Sequence, residues 1–265
     1  MKLNYIEQGS GPVIILIHGM FGSLSNLGML ARSLVDQCRV ISVDLRNHGD
    51  SPHAQQMDLA SMAGDIVELM DNLNIPSANL IGHSLGGKIA MQVALNSPSR
   101  VQSLVVADIA PVTYSGGQDQ ALAALAALSQ QPVESRSAAD QVISEYIEEA
   151  PTRAFLLKNL ARDDQGNLSL KLNMASIVDN YATTLVAAPS GDSYAGPTLF
   201  LKGGDSAYIQ DKHRAVIDRM FPRVQFEVVA NTGHWLHAQQ PRVVNSLIAV
   251  FYNENQLIDN HLIKS

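Results

Sequence analysis

Gly82-His83-Ser84-Leu85-Gly86 carries the densest chemical signal in the chain. Ala78 to Ile81 before it reads as a strand and Lys88 to Asn96 after it as a helix, with glycine at both places where side chains of so tight a turn would collide. A serine there takes a strained backbone conformation, at a cost of about 1–3 kcal/mol, and gains an exposed hydroxyl. It also stands at a helix N-terminus, whose unpaired N–H groups favour negative charge. Those features suit a nucleophile. The plainer reading is a turn built from glycine and serine, as many chains have.

A serine hydroxyl attacks only when a base takes its proton, so a histidine must reach it and a carboxylate should orient that imidazole. Of eight histidines, His234 alone follows the last strand in a glycine-preceded loop, Asn231-Thr232-Gly233-His234. The order serine, acid, histidine along the chain suits a sheet of this type. Read plainly, His234 is a loop residue beside Trp235. The remaining histidines read as structural: His18 before a turn, His83 inside the elbow, His48 and His53 in a polar loop, and His237 one helical turn beyond His234. His234 and His237 have no companion Cys or carboxylate at ligand spacing, so no metal is expected.

Acyl chemistry on Ser84 needs two backbone N–H groups to hold an oxyanion, and losing one such donor typically costs about 2.7–4 kcal/mol in the transition state. Leu85, directly after the serine, supplies one. Met20, after His18-Gly19, is expected to supply the other, with Phe21 as its nearest rival.

The elements that must position these groups follow a strand–helix rhythm. Lys2 to Gln8 reads as an edge strand, and Val13 to Ile17 is a β-branched run without polar alternation, as in a strand buried on both faces. A helix from Ser23 or Ser25 to about Asp36, a strand over Arg39 to Val43 and a long polar loop, Asp44 to Pro52, come next. In the helix Leu59 to Leu73, Met62, Ile66, Leu69 and Leu73 keep spacings of three and four. The strand Val101 to Ala107 ends in Asp108-Ile109-Ala110-Pro111. From Val112 to about Ala195 no buried-type strand appears, only helical patches: Gln120 to Ser129, Ala138 to Glu149, Thr152 to Leu160 and Met174 to Leu185. A loop with Asp163-Asp164-Gln165-Gly166-Asn167 interrupts them. The rhythm resumes with the strand Thr198 to Lys202, a helix over Asp211 to Phe221, the strand Val224 to Val229 and a helix near Arg242 to Tyr252. This predicts an α/β fold: a mostly parallel central sheet with helices on both faces, residues 1–111 and 196–265, and an inserted helical cap, residues 112–195, carried on one edge of it. The tail, Asn253 to Ser265, either docks or frays.

At 265 residues the chain is long enough for one large α/β domain and a sizeable core. Its net charge of −7 includes no basic cluster, so neither a nucleic-acid surface nor an anionic-membrane footprint is expected. Cys38, the sole cysteine, excludes an intramolecular disulfide and reads as a small buried apolar residue. The N-terminus turns polar at once and no apolar run approaches the ~20 residues of a membrane span, which makes a cytoplasmic protein the expectation. The sequence sets no oligomeric state.

His18-Gly19, Asp44-x-Arg46-Asn47-His48-Gly49-x-Ser51, Gly82-His83-Ser84-Leu85-Gly86-Gly87 and Gly233-His234-Trp235 together resemble the α/β-hydrolase superfamily over essentially the whole chain. Through R-N-H-G, G-H-S-x-G-G-K and D-I-A-P the chain is similar to the branch of small bacterial esterases and their mitochondrial relatives. The resemblance implies a carboxylester or thioester hydrolase with a helical cap, working without metal or organic cofactor. Serine at the elbow argues against the superfamily's haloalkane dehalogenases and epoxide hydrolases, which use aspartate there.

Two aspartates compete for the acid. Asp205, in Gly203-Gly204-Asp205-Ser206, holds the position commonest in the superfamily, after the strand that follows the cap. Asp108, after the strand before the cap, is used by some members. The branch that this chain resembles usually reads G-G-N-S where this one has G-G-D-S. Asparagine could orient a histidine but not balance an imidazolium with a full charge. The resemblance therefore favours Asp108, with Asp205 as the alternative acid and otherwise a turn former or cap anchor.

Arg46 and Asn47 read as stitching for the loop beneath the site, and Lys88 as a solvated or salt-bridged helix lysine rather than an anion ligand. Trp235, Tyr114, Tyr146, Phe155, Tyr181 and Tyr194 are candidates for the wall of an acyl pocket. The expected reaction is acyl transfer to water from a small-molecule acyl ester, failing below roughly pH 6 as the base is protonated. The same groups would serve thioesters, lactones or carbon–carbon bonds, and the fold without turnover would make a small-molecule receptor.

Overall fold

The computed structural model describes residues 1–115, 120–162, 166 and 168–258. Seven strands, β1 (Tyr5–Gln8), β2 (Val13–Ile17), β3 (Arg39–Val43), β4 (Ala78–His83), β5 (Val101–Ala107), β8 (Thr198–Gly203) and β9 (Val224–Val229), form one sheet. Two more, β6 (Leu160–Arg162) and β7 (Leu168–Leu170), pair as a hairpin elsewhere. The sheet order is β1-β3-β2-β4-β5-β8-β9, with β1 antiparallel to β3 and every other pair parallel.

The unalternating apolar run of β2 now has its reason. Successive side chains of a strand point to opposite faces, and here both faces are covered. Ile15 and Ile17 enter the layer of α2 (Leu59–Asn72) and α3 (Leu85–Asn96), while Ile14 and Leu16 enter that of α1 (Gly28–Leu34) and α10 (Pro241–Glu254). Helix α2 starts where Asp58 accepts the Ser61 N–H at 2.7 Å, and it buries Met62, Ile66 and Leu69 on one stripe. Cys38 packs fully buried in the second layer.

Parallel pairing sends the carboxyl ends of β2, β4, β5, β8 and β9 to one rim. In the β4–β5 register His83 lies opposite Ala107, so Ser84 and Asp108 are the next residues on adjacent strands. Each leaves its strand with a positive φ, 52° at Ser84 and 54° at Asp108.

The inserted helical region contains α4 (Gln120–Ser129), α5 (Arg136–Ser144), α6 (Ala150–Leu156), the β6–β7 hairpin and α7 (Met174–Asn180). It leaves after β5 and returns into β8, which are direct neighbours, so it rises from between two interior strands rather than from one edge of the sheet. The hairpin is a correction to the all-helical expectation: its strands are three residues long, too short for a period to show. Asp163, Asp164, Gln165 and Asn167 lie outside the described residues. The patch expected as one helix from Met174 to Leu185 is α7 followed by a wider π-type turn, Tyr181–Leu185. Beyond the insertion lie α8 (Arg214–Met220), the short α9 (Leu236–Gln239) and α10. The tail packs as far as Ile258, which is buried; residues 259–265 lie outside the described residues.

Hydrogen bonds tie the insertion to the loops after β2 and β3. The Asn173 N–H donates to the Asn47 carbonyl at 3.0 Å, Asn47 Nδ2 to Ser176 Oγ at 3.1 Å, and Asn159 Nδ2 to the Phe21 carbonyl at 2.8 Å. Arg46 instead holds Asp65 of α2 through two bonds of 2.6 and 2.8 Å. Among the described residues no helix is long and apolar enough to cross a membrane.

Candidate active site

The glycines around Ser84 are dictated by backbone proximity. A Cβ on Gly82 would lie 2.2 Å from the Gly86 carbonyl oxygen, and one on Gly86 would lie 2.2 Å from that of Ile17. Strand β4 and helix α3 therefore pack closer than any side chain allows. Ser84 at the apex has φ 52° and ψ −119°, with its N–H donating to the Ala107 carbonyl at 3.0 Å. Helix α3 begins at Leu85, three residues before the expected Lys88.

The loop after β9 brings His234 over the elbow. Thr232 Oγ1 donates to the Val229 carbonyl at 2.6 Å and the Gly233 N–H to Gln239 Oε1 at 2.8 Å, which closes the turn. His234 Nε2 lies 2.9 Å from Ser84 Oγ, and its Nδ1 lies 2.8 Å from Asp108 Oδ2. An ionised carboxylate only accepts, so Nδ1 carries the proton and Nε2 is left to accept from the serine hydroxyl. Asp108 is fully buried, and its remaining acceptor capacity is met by the Gly203 N–H at 3.0 Å and by the Ser206 hydroxyl. Asp205 is exposed and engages through its backbone N–H, 2.9 Å from the Thr232 carbonyl. The structure thus brings Ser84, His234 and Asp108 together and leaves the Asp205 carboxylate facing solvent.

The loop after β2 lies against the elbow. Of its two candidate donors, Phe21 N–H is already bonded to His48 Nε2 at 3.2 Å, while neither Met20 nor Leu85 N–H meets a protein acceptor among the described residues. Phe21 stands at φ 60°. Two buried histidines brace this loop from beneath. His18 accepts the Leu45 N–H on Nε2 at 3.0 Å, with Nδ1 2.7 Å from the Gly19 carbonyl. His48 places Nδ1 3.0 Å from the Arg46 carbonyl. Burial lowers their pKa to about 4 and about 3, so both are neutral imidazoles with one nitrogen accepting and one donating.

Two more histidines surround His234. His83 Nε2 lies 2.8 Å from the His234 carbonyl, and the His83 ring meets His237 edge-on at 4.4 Å. Burial holds His83 well below its ordinary value and His237 down to about 4. Tyr208, in the loop after β8, stacks on the His234 ring at 3.9 Å with 23° between the planes.

A cavity of about 550 Å³ opens over Ser84 beneath the insertion, lined mostly by apolar side chains. Of the six aromatic candidates, Tyr114, Phe155, Tyr181 and Trp235 stand in its wall, while Tyr194 donates to the Val101 carbonyl at 3.1 Å and Tyr146 is exposed. Lys88 corrects the sequence reading. It is neither solvated nor salt-bridged: the side chain is 2 % exposed, donates to the carbonyls of Val186 and Ala187 at 2.8 and 2.6 Å, and lies 4.8 Å from the Tyr114 ring centroid. Burial pushes its pKa down to about 7. Neither Ser206 nor Tyr208 carries a signal of its place in the sequence, where G-G-D-S draws attention to its aspartate alone.

Residues 12–241 match the family model described as the alpha/beta hydrolase fold, and the chain belongs to that family. Proteins named as esterases and lipases are among its relatives. It is 38 % identical over 239 residues to the mouse sn-1-specific diacylglycerol lipase ABHD11, covering 87 % of this chain and 78 % of that one. To Esterase YbfF of Escherichia coli (strain K12) it is 36 % identical over 260 residues, 96 % of this chain and all of the other. A solved structure, the marine microorganism esterase, superposes with a TM-score of 0.90 at 37 % identity, covering 95 % and 99 % of the two chains.

Proposed function

We propose that the protein is a serine hydrolase that cleaves small-molecule carboxylic esters through an acyl-enzyme on Ser84. The observation that carries this reading is the line of contacts from Asp108 Oδ2 through His234 to Ser84 Oγ, at 2.8 and 2.9 Å, opening into the apolar cavity. The relatives named as esterases support the same class of substrate.

Ser84 Oγ attacks the ester carbonyl carbon while His234 Nε2 takes the hydroxyl proton. The carbonyl oxygen becomes an oxyanion facing the N–H groups of Met20 and Leu85. Asp108 balances the imidazolium charge, and its bonds from Gly203 and Ser206 keep it aimed at Nδ1. When the tetrahedral species collapses, the bond to the alcohol oxygen breaks and His234 returns the proton to that oxygen. Water then enters, His234 takes one of its protons as the oxygen adds to the acyl carbon, and the bond to Ser84 Oγ breaks as His234 returns the proton to Oγ, releasing the acid.

The mostly apolar lining of the cavity favours apolar acyl groups. Steady-state hydrolysis of p-nitrophenyl esters across a series of acyl lengths, with fluorophosphonate labelling of the wild type and Ser84→Ala, tests the reading. Loss of both turnover and label in Ser84→Ala is expected. Retention of either would overturn the assignment of the nucleophile.

A further inference from the structure

The imidazole of His234 is held by more than its two hydrogen bonds. Tyr208 presents a ring face to it at 3.9 Å and 23°, whereas His83 and Trp235 meet it at steeper angles, 43° at 4.8 Å and 62° at 5.9 Å. The Tyr208 backbone is fixed on both sides. Tyr114 Oη donates to the Tyr208 carbonyl at 2.6 Å, and the Tyr208 N–H points to Ser206 Oγ at 3.3 Å, the hydroxyl that bonds Asp108. One short loop thereby touches both the carboxylate and the imidazole.

An aromatic face attracts a cation through its quadrupole, so a stacked phenol ring interacts more strongly with imidazolium than with imidazole. In the reaction proposed above, His234 becomes imidazolium at each proton transfer. We propose that Tyr208 is a positioning residue that fixes the plane of the His234 imidazole between Ser84 and Asp108 and favours its protonated form during turnover. The inference rests on His234 being the base.

The groups that face His234 are Asp108 from the end of β5, His83 from the end of β4, His237 from α9 and the Tyr208 ring itself. Burial keeps His83 and His237 neutral, which leaves Asp108 as the charged partner. Replacing Tyr208 by leucine keeps a comparable apolar volume over the ring while removing its π face. Loss of a group that stabilises imidazolium means that the base stays deprotonated to lower pH.

The test compares pH profiles of kcat and kcat/KM for the wild type, Tyr208→Leu and Tyr208→Phe on one p-nitrophenyl ester. Rates are normalised to sites titrated by fluorophosphonate, so that a poorly folding variant does not pass for an inactive one. In Tyr208→Leu, kcat is expected to fall by about tenfold and the acid limb to move down by about half a pH unit. Tyr208→Phe is expected to restore both. A Tyr208→Leu enzyme with wild-type kcat and acid limb, changed in KM alone, would reduce Tyr208 to a wall of the cavity. A Phe variant as impaired as the Leu variant would also overturn the proposal, because the hydroxyl and not the ring face would then matter. Failure of the wild type to take the label at all would instead sink the serine hydrolase reading.

Discussion

The Ser206 hydroxyl donates to Asp108 Oδ2, the same oxygen that faces His234 Nδ1. Gly203-Gly204-Asp205-Ser206 therefore meets the imidazole's partner through a serine and a backbone N–H, while its own aspartate looks outward. The two carboxylates should separate cleanly on substitution. Asp108→Asn is expected to lower kcat by about 10⁴, the scale set by loss of a charged partner and the correct tautomer. Asp205→Asn should stay within a few-fold of the wild type. Turnover per titrated active site checks both, and the opposite ranking would return the acid to Asp205.

Lys88 predicts a pH-dependent stability. Its folded pKa, about 7, lies below the ordinary value of 10.5 because the ammonium is buried. Across that interval the unfolded chain holds a proton that the folded chain has released, so the contribution of this group to stability rises with pH. Urea unfolding of the wild type and Lys88→Met at pH 7 and pH ~9.5 measures it. The wild type should gain on the variant as pH rises. A constant difference would mean that Lys88 stays charged in the fold, held by the carbonyls of Val186 and Ala187.

Removing the His48 acceptor should reach the loop after β2 without touching Ser84. In His48→Phe the buried Phe21 N–H loses its partner, at a cost of about 1–3 kcal/mol, and the loop presenting Met20 N–H loses its brace. The expected outcome is a lower kcat together with a lower urea midpoint. A variant less stable but unchanged in kcat would confine His48 to the fold.

The sequence made the scaffold legible where burial writes a period. Val13 to Ile17 has no polar alternation because both faces of β2 are covered, and Met62, Ile66 and Leu69 mark one stripe because α2 is covered on one side. Ser84 and His234 stand out because a glycine-flanked elbow and a glycine-preceded loop are local patterns. Lys88 reads as solvated in the sequence because nothing along helix α3 signals that the stretch around Val186 returns across it. Ser206 and Tyr208 act through a loop whose path depends on β5, β8 and β9 at once, so no spacing along the chain announces them.

Ser84 and Asp108 each follow a residue of the paired couple His83 and Ala107. The distance between hydroxyl and carboxylate is then measured out by rungs of the sheet, as by a ruler, and does not depend on how a loop settles. His234 arrives on the loop after β9, the far strand of the order. Of the three groups it alone is delivered from the sheet's outermost strand, so the line is closed across the sheet and not along one pair of rungs.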